Sequence, residues 1–473
     1  MKIIILIFYL QFFYFNAVGQ YWEGVGEFSS GVRSLFSDSI ENKIYIGGTF
    51  ATIDSSTYNG VAVWDNSLIV SMGSGQDSVC NPFNCPPILD FIKYQNKIFC
   101  TTPHTPFDGI TNGGIMIWDG NAWSSFEKSF YSFSQIAIIR NMEIIDGDLY
   151  FLGDFRYIDS APINSIVKWN GMEMLNLDFP SPLTLEFSDL TSISLFNNEL
   201  YVAGNFVAKD TNGNSIQDIL KYNGSSWENV AEGLHGSNTV IGDMLVYKNE
   251  LYVCGLIYES EGNAGDGILK FDGTQWTDVG GSFNSGAILS KLLVYEDELY
   301  AFGIFTSVGN GLPTNNIAKW NGERWCTFNY GFNNRIGTAE IHNDKLVIGG
   351  GFTMIGEDSI GVLAMAKESL IPYFCDTTTV SSNSISKIDN FTFEIFPNPA
   401  QESITIKLDL EKKDNISIEL FNSIGQLVYN RNIGSFRGER IEHLNLKKLP
   451  SGIFYVKINT SISSETQKII KSN

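Results

Sequence analysis

The sequence predicts an all-β protein, a seven-bladed β-propeller followed by a small C-terminal Ig-like β-sandwich. A phrase built on Leu-Tyr-Val-x-Gly recurs seven times in the 473 residues, at steps of 54, 51, 51, 51, 48 and 47. A strand-rich repeat of about 50 residues is typical of propeller blades. The copies begin at Ile44, Ile98, Leu149, Leu200, Leu251, Leu299 and Leu346.

Each repeat contains two hairpins and therefore supplies four antiparallel strands. The first hairpin turns at short polar segments such as 197–199. The second turns at Asn-Gly or Asp-Gly in five repeats, which favours two-residue turns because both central residues take positive φ. In four of these five repeats a tryptophan follows three residues after the glycine, and we expect these rings to pack in the core. They are Trp123, Trp227, Trp276 and Trp325.

The two ends of the repeat region indicate how the ring closes. The seventh repeat stops after Ala366 with no Asn-Gly turn and no tryptophan. The residues around Trp22 match those around Trp276, which occupies the fourth-strand position of an internal repeat. We therefore predict that the N-terminal strand completes the seventh blade, which removes two exposed sheet edges.

The repeats resemble those of kelch and galactose-oxidase-type propellers. They are more similar to the LYVGG-F … IAKWNG-W repeats of fungal cortical-marker and bacterial surface proteins. Residues 200–227 and 299–325 carry the resemblance, whereas the copy at 98–123 has Cys100-Thr101 where glycine is expected. The resemblance covers roughly residues 21–366 and implies a fold, not an activity.

Residues 1–19 have the pattern of a secretory signal peptide. Lys2 is followed by an apolar run from Ile3 to Phe15, with small residues at the −3 and −1 positions of a cleavage site after Gly19. An apolar run of about 13 residues is shorter than the ~20 needed to span a bilayer. We expect export and no transmembrane segment, and the absence of cysteine at the cleavage point disfavours a lipoprotein.

The rest of the chain divides by composition into three parts. The propeller is predicted over 20–368 and a Ser/Thr-rich linker over 369–390. From 391 to 473 the sequence changes to alternating strands, such as 404–408 and 416–421, separated by Gly and Pro. This pattern indicates a β-sandwich of about 80 residues.

The C-terminal part resembles the type A C-terminal sorting domain of the Bacteroidetes type IX secretion system. The matching segments are the Pro-Asn-Pro-Ala entry, the Ser-Ile-Gly-Gln turn, the Leu-Pro-Ser-Gly turn and the terminal Lys-Ile-Ile-Lys. The resemblance implies the sorting residues Pro397, Asn398, Pro399, Ala400, Gly425, Gly452 and Lys471. It also implies export across both membranes, handling by the type IX machinery, and removal of the domain with attachment of the product to surface glycolipid. An ordinary Ig-like accessory domain is the alternative.

The charge of the chain limits its partners. The net charge is −21, and the tail from Phe391 carries +2, so the preceding part carries −23. Nucleic acids and anionic membranes are themselves negative, which argues against both as partners.

The six cysteines do not form a dense disulfide framework. Cys80 and Cys85 are close enough in sequence to pair, and we treat them as a candidate disulfide. Cys100 and Cys254 lie in strands and are expected to be buried thiols. Cys326 and Cys375 can pair only if the linker folds back, which the sequence leaves open.

Catalytic and metal signals are weak. The four histidines, His104, His235, His342 and His443, show no metal-ligand spacing. The best metal candidate is Asp210, Asn212 and Asn214, whose alternating oxygens suit Ca²⁺. Glycine falls at position four instead of six and Lys221 replaces the twelfth-position glutamate, which favours a plain polar loop. Acidic loops after the repeated phenylalanine, such as 158–160 and 356–359, are expected to share one face.

Three functional hypotheses follow. The leading one is an exported, non-catalytic binding or adhesion module that takes a glycan or protein ligand through one face of the ring, with no cofactor other than a weakly indicated Ca²⁺. The alternative is an exported hydrolase or lyase acting on polysaccharide, which needs carboxylates converging at the mouth of the ring. A purely structural envelope protein would have no pocket.

Overall fold

A computed structural model of the chain describes residues 21–471 except 77–79, 81–84, 103–106, 112, 133–134, 181–187, 210–214, 232, 237–238, 310, 329–330, 368–373, 376–390, 398–399, 423–426, 451 and 461–463. The chain forms two compact units, Met1–Val380 and Ser381–Asn473. Each unit is described by itself. Within the described residues no helix has the length and hydropathy of a membrane span.

Among the described residues of the first unit, seven sheets each have four antiparallel strands that run from the innermost to the outer strand of a blade. This confirms the predicted propeller. The strands, blade by blade, are Val32–Asp38, Lys43–Gly48, Val61–Trp64 and Ile69–Ser71; Phe91–Tyr94, Lys97–Thr101, Ile115–Trp118 and Trp123–Ser125; Ile139–Ile145, Asp148–Gly153, Ile166–Trp169 and Met174–Asn176; Ser188–Phe196, Glu199–Lys209, Ser215–Tyr222 and Trp227–Asn229; Val240–Tyr247, Glu250–Leu256, Ile268–Phe271 and Trp276–Asp278; Ile288–Tyr295, Glu298–Ile304, Ile317–Trp320 and Trp325–Thr327; Ile336–His342, Lys345–Gly350, Leu363–Ala366 and Trp22–Gly24.

The N-terminal strand closes the ring, as the sequence predicted. Trp22 pairs with Ala366 and Gly24 with Ala364, so Trp22–Gly24 is the outer strand of blade 7. The indole of Trp22 is 1% exposed and packs edge-on against Phe332. Strand pairing therefore ties the start of the propeller to its end.

A second contact joins blade 7 to blade 1. His342, at the end of the innermost strand of blade 7, is buried between Ser37 and Asn66 of blade 1. Its Nδ1 lies 2.9 Å from Ser37 Oγ and its Nε2 2.8 Å from Asn66 Oδ1. Burial lowers the pKa of His342, which favours the neutral ring.

The repeated tryptophans connect neighbouring blades, in agreement with the packing role predicted for them. Trp123, Trp227 and Trp325 are at most 6% exposed. Each indole Nε1–H donates to a backbone carbonyl in the preceding repeat, at 2.5 to 2.7 Å. Buried indoles thus have a satisfied donor and fill the space between sheets. Trp276 makes the equivalent contact at 3.4 Å and is only half-buried.

The chain after the last blade differs from the linker predicted over 369–390. Phe374–Cys375 adds a fifth strand to blade 6, beside Trp325–Thr327. A disulfide joins Cys326 to Cys375, so the segment does fold back onto the propeller. Cys80 and Cys85 are also joined by a disulfide, and Cys100 and Cys254 are buried free thiols.

The second unit is one five-stranded antiparallel sheet that bends around a single core. Its strands are Phe391–Phe396, Ser403–Asn422, Leu427–Asn445, Gly452–Asn459 and Ser464–Lys471. The segments 404–408 and 416–421, expected as separate strands, are two parts of the 20-residue strand Ser403–Asn422. Its first part pairs with Phe391–Phe396 and its second with Gly452–Asn459, and a register shift lies between Leu410 and Asp414. Leucines and isoleucines from both parts share one buried cluster.

We expect Trp22→Ala to destabilise the propeller by about 3–5 kcal/mol, because it removes a fully buried ring from the closing strand. Met172→Ala is the matched control, since Met172 is 87% exposed and its loss should change stability by less than about 0.5 kcal/mol. Urea unfolding followed by tryptophan fluorescence measures both. Equal stabilities of the two variants would contradict closure through Trp22.

Candidate functional site

Small hairpins gather on one face of the propeller, which we call the hairpin face. In each case the hairpin follows the second strand of a blade and the repeated phenylalanine. The hairpins pair Thr52–Ile53 with Ser56–Thr57, Tyr157–Ile158 with Ala161–Pro162, Ser307–Val308 with Leu312–Pro313, and Met354–Ile355 with Asp358–Ser359. Phe130–Ser132 and Gln135–Ile136 extend the second of these into a four-stranded sheet, and blade 5 has the 3₁₀ helix Glu259–Glu261.

Polar side chains hydrogen-bond three of these hairpins to the loop that precedes the innermost strand of the same blade. Asn284 Oδ1 accepts hydrogen bonds from the backbone N–H groups of Thr306 and Ser307, at 2.7 and 3.1 Å. Asn333 and Ser29 make the same pair of contacts in blades 7 and 1. The hairpin face is therefore a braced surface, not a set of free loops.

Two acidic turn residues of the hairpin face have structural partners. Asp54 Oδ1 accepts from the N–H of Glu27 at 2.8 Å, and Asp159 Oδ1 accepts from the N–H of Ser129 at 3.0 Å. Asp159 also pairs with Lys128 at 3.3 Å. These carboxylates hold incoming loops.

A pocket of about 470 Å³ opens on the hairpin face where blade 7 meets blade 1, and we call it the mouth pocket. The loops that enter the two innermost strands form its walls, together with the ends of the two second strands. Equivalent backbone hydrogen bonds hold the two loops. Thr49 N–H donates to Gly31 O in blade 1 and Gly351 N–H donates to Arg335 O in blade 7, both at 2.9 Å. The lining includes Ser29, Ser30, Arg33, Thr49, Ile304, Asn334, Arg335, Gly337, Gly351 and Thr353.

Two arginines give the mouth pocket its charge. Arg33 is exposed and comes from blade 1, while Arg335 is half-buried and comes from blade 7. Arg335 Nε donates to Ser290 Oγ at 2.6 Å. Burial lowers the pKa of Arg335, and the nearby positive charge of Arg33 lowers it further. The described residues that line the pocket include no carboxylate and no histidine.

Below the mouth, one polar residue in or directly before each innermost strand belongs to a ring around the axis. We call it the polar ring. Each of its residues lies opposite the fourth residue of the repeated phrase in its own blade, and in six blades a β-bulge directly precedes that residue. Its members are Ser34, Asp90, Asn141, Ser192, Asp243, Lys291 and Thr338. Sequence reasoning missed this ring because the residue type changes from blade to blade.

The aspartates of the polar ring bridge neighbouring blades. Asp90 Oδ2 accepts from the N–H of Met142 in blade 3 at 2.6 Å. Asp243 Oδ2 accepts from the N–H of Leu292 in blade 6 and pairs with Lys291, both at 3.0 Å. These bonds satisfy backbone donors that face the channel.

Charges interact across the axial channel. Burial raises the pKa of Asp90 to about 7, and it also raises the pKa of Glu143 and of Glu340. Asp243 raises the pKa of Lys291, and Glu340 and Asp90 act in the same direction. Because these groups belong to blades 2, 3, 5, 6 and 7, the channel holds four carboxylates around one ammonium.

The predicted metal site lies outside the described residues, since Asp210, Asn212 and Asn214 are all in the undescribed segment 210–214. In the part of the chain that the structure describes, no group of three or more His, Cys, Asp and Glu side chains is placed to hold a metal ion. Asp218, just after that loop, is 4% exposed. Its Oδ1 accepts from the N–H of Phe206 at 3.4 Å, and burial raises its pKa to about 7.

Three of the predicted sorting residues meet in the second unit. Ala400 is fully buried and forms a parallel bridge with Lys471. Lys471 is also the strand partner of Gly452. The entry segment, the Leu-Pro-Ser-Gly turn and the chain end thus converge at one edge of the sheet. Pro397 directly follows the first strand, whereas Asn398, Pro399 and Gly425 lie outside the described residues.

Comparison with known proteins identifies the tail. Residues 394–472 match the family described as the secretion system C-terminal sorting domain. The chain therefore carries a type IX sorting domain, which indicates secretion to the cell surface or the extracellular space and handling by the type IX machinery. No curated protein matches the chain.

Two solved structures are similar over much of the chain. One is the GH74 enzyme of Niastella koreensis, with a TM-score of 0.40 and 10% identity over 96% of this chain and 74% of that one. The other is dimeric latent PorU from Porphyromonas gingivalis, with a TM-score of 0.16 and 11% identity over 80% of this chain. The chain spans 32% of the length of the PorU structure.

We expect Asp218→Asn to stabilise the protein at pH 8 by an amount on the order of a few kcal/mol, since one pKa unit corresponds to about 1.4 kcal/mol. The folded chain keeps a proton on Asp218 up to a pKa of about 7, whereas the unfolded chain loses it near pH 4. Stability from this group therefore falls as the pH rises from ~4 to ~7. Asn316, at the same position of blade 6, shows that an amide fits, because its Nδ2 donates to two backbone carbonyls.

Urea unfolding of the two proteins at pH 5 and pH 8 measures the difference, which should shrink at the lower pH. Asp297→Asn is the control, because the Asp297 side chain is 87% exposed. A stabilisation that is the same at both pH values would contradict the role given to burial.

Proposed function

We propose that the protein is an exported, cell-surface or secreted propeller that acts as a non-catalytic binding module through its hairpin face. An N-terminal signal peptide, cleaved after Gly19, starts its export, and the sorting domain completes it. The repeats are of the kelch-like type. The ligand-binding part is the mouth pocket between blades 7 and 1.

The composition of the mouth pocket is the observation that carries this proposal. The pocket is lined by two guanidinium groups, hydroxyls and glycine backbone. General acid–base catalysis needs a carboxylic acid, an imidazole or a similar group within reach of the substrate. Guanidinium groups remain protonated and therefore bind without transferring protons. A polar, braced concavity of this kind suits recognition of a polar ligand.

The channel carboxylates favour the alternative, an exported polysaccharide-active hydrolase or lyase. Raised pKa values in a cleft are typical of catalytic acids. Asp90 and Asp243 accept backbone N–H groups of the next blade. Within the described residues, Glu143 and Glu340 accept only from the residue that follows each of them in the chain, so they do not bridge blades and are the candidates for such a reaction. Glu143 and Glu340 lie in the channel below the mouth pocket, so an enzymatic site would lie there and not in the pocket itself.

Binding of the purified protein to an array of neutral and acidic glycans tests the proposal. We expect Gly337→Leu to reduce binding at least tenfold, because the new side chain enters the mouth pocket. A Cβ on Gly337 meets nothing closer than Val32 O at 3.8 Å, so the substitution fits the fold. Cleavage of a bound polysaccharide that Glu340→Gln or Glu143→Gln abolishes would favour the enzyme instead.

Deletion of residues 391–473 tests the sorting role. We expect the truncated chain to be absent from the cell surface and the medium, because the domain recognised by the type IX machinery is gone. Surface labelling and fractionation measure this. The full-length Gly337→Leu variant is the control and should be exported normally. Surface display of the truncated chain would overturn the sorting role.

A further inference from the structure

We propose that the mouth pocket binds an oxyanion carried by a glycan, a carboxylate or sulfate group on a sugar, and that Arg33 and Arg335 select it. This inference rests on the proposed function, since it names the ligand chemistry of the same pocket. It adds that the ligand is charged, and that two residues 302 positions apart in sequence recognise the charge together.

The first argument is an imbalance of charge. The chain has 52 acidic and 31 basic side chains, yet within the described residues neither Arg33 nor Arg335 forms an ion pair with a carboxylate. Arg140, by contrast, pairs with Asp189 at 2.8 Å. The positive charge of Arg33 lowers the pKa of Arg335. Two cations held together without a counter-ion repel each other, and a bound anion relieves that repulsion.

The second argument is preorganisation. The Arg335 side chain is held through Nε by Ser290 Oγ, and its backbone N–H donates to Asn334 Oδ1 at 2.8 Å. Its terminal nitrogens are therefore presented in a fixed orientation. A planar guanidinium makes two parallel hydrogen bonds to a carboxylate or sulfate, and little side-chain entropy is lost when the group is already held.

The third argument concerns what carries the anion. A pocket of about 470 Å³ is large enough for an organic ligand and is far larger than a single inorganic anion requires. The Ser30 and Thr49 hydroxyls, 2.9 Å apart, and the hydroxyl of Thr353 offer partners for sugar hydroxyls. The net charge of −21 repels dense polyanions. A glycan with isolated acidic groups meets all three conditions.

Calorimetric titration of the purified full chain tests the inference. The probes are an oligosaccharide containing glucuronic acid, its sulfated counterpart, the neutral oligosaccharide of the same backbone, an acidic peptide and inorganic sulfate. We expect the two acidic oligosaccharides to bind more tightly than the other probes. Arg33→Gln should weaken them roughly 10- to 100-fold, the effect of losing a charge-assisted hydrogen bond.

Two variants keep the result interpretable. Arg324→Gln is the matched control, because Arg324 is an exposed arginine in the turn between the third and outer strands of blade 6, on the opposite face, and its loss should leave affinity unchanged. Arg33→Lys should restore part of the affinity, since it returns the charge without the planar fork. Arg33 is exposed, so neither variant at that position disturbs the core.

Several outcomes would overturn the inference. Equal affinity for the neutral oligosaccharide would do so, as would tighter binding of the acidic peptide or of sulfate alone. If Arg33→Gln has no effect while Gly337→Leu abolishes binding, the charge selection fails and the binding function stands. If no glycan or peptide binds, the proposed function itself fails.

Discussion

The closure of the ring between blade 7 and blade 1 is the constraint on which the propeller depends. Among the described residues the chain crosses this junction through residues 25–31, which run from the outer strand of blade 7 to the innermost strand of blade 1. The pairing of Trp22–Gly24, the burial of His342 and an apolar cluster shared by the two blades hold it closed. Both His342 nitrogens have partners in blade 1, which a neutral imidazole can satisfy with one donor and one acceptor. The mouth pocket lies at the same junction. It exists as a pocket only when the ring is closed.

The interior of the ring shows how identical blades accept unlike residues. The repeated phrase supplies strands that are nearly interchangeable, and in four blades an indole donates to a carbonyl of the preceding repeat. The polar ring instead varies, with hydroxyls in three blades, aspartates in two, and Asn141 and Lys291 in the others. Asp90 and Asp243 each bond a backbone N–H of the next blade, and Ser34 Oγ donates to Ile88 O of the next blade, so unlike side chains at this position make bridges. Variation there is tolerated because the strand geometry, not the residue, places the contact.

The sequence predicted most of the fold because a propeller is made of local features. Each turn, strand and tryptophan of a repeat lies within about 50 residues, and the closing strand was recognised from its likeness to Trp276. The tail was recognised from short motifs in a fixed order. The one strand Ser403–Asn422 was read as two because a register shift interrupts its alternation near Asp414.

The candidate site was not predictable in the same way. Arg33 and Arg335 meet because the ring brings the first and last blades together, and no pattern in either repeat marks them. The same holds for Cys326 and Cys375, whose pairing requires a strand that no repeat contains. Asp159, in one of the acidic loops that the sequence did single out, bonds an incoming loop. The candidate site depends on contacts between segments that are distant in sequence, whereas the fold depends on patterns within a single repeat.

The strand Phe374–Cys375 has a mechanical consequence for a protein with a C-terminal sorting domain. Tension applied to the chain beyond Cys375 reaches the disulfide to Cys326 before it reaches blade 7. The load then passes into the strand Trp325–Thr327 of blade 6, which pairs with Lys319 and Trp320. The load does not pass through Leu363–Ala366, the strand that pairs with Trp22–Gly24. A pull on the tail therefore does not peel open the strand pairing that keeps the ring shut.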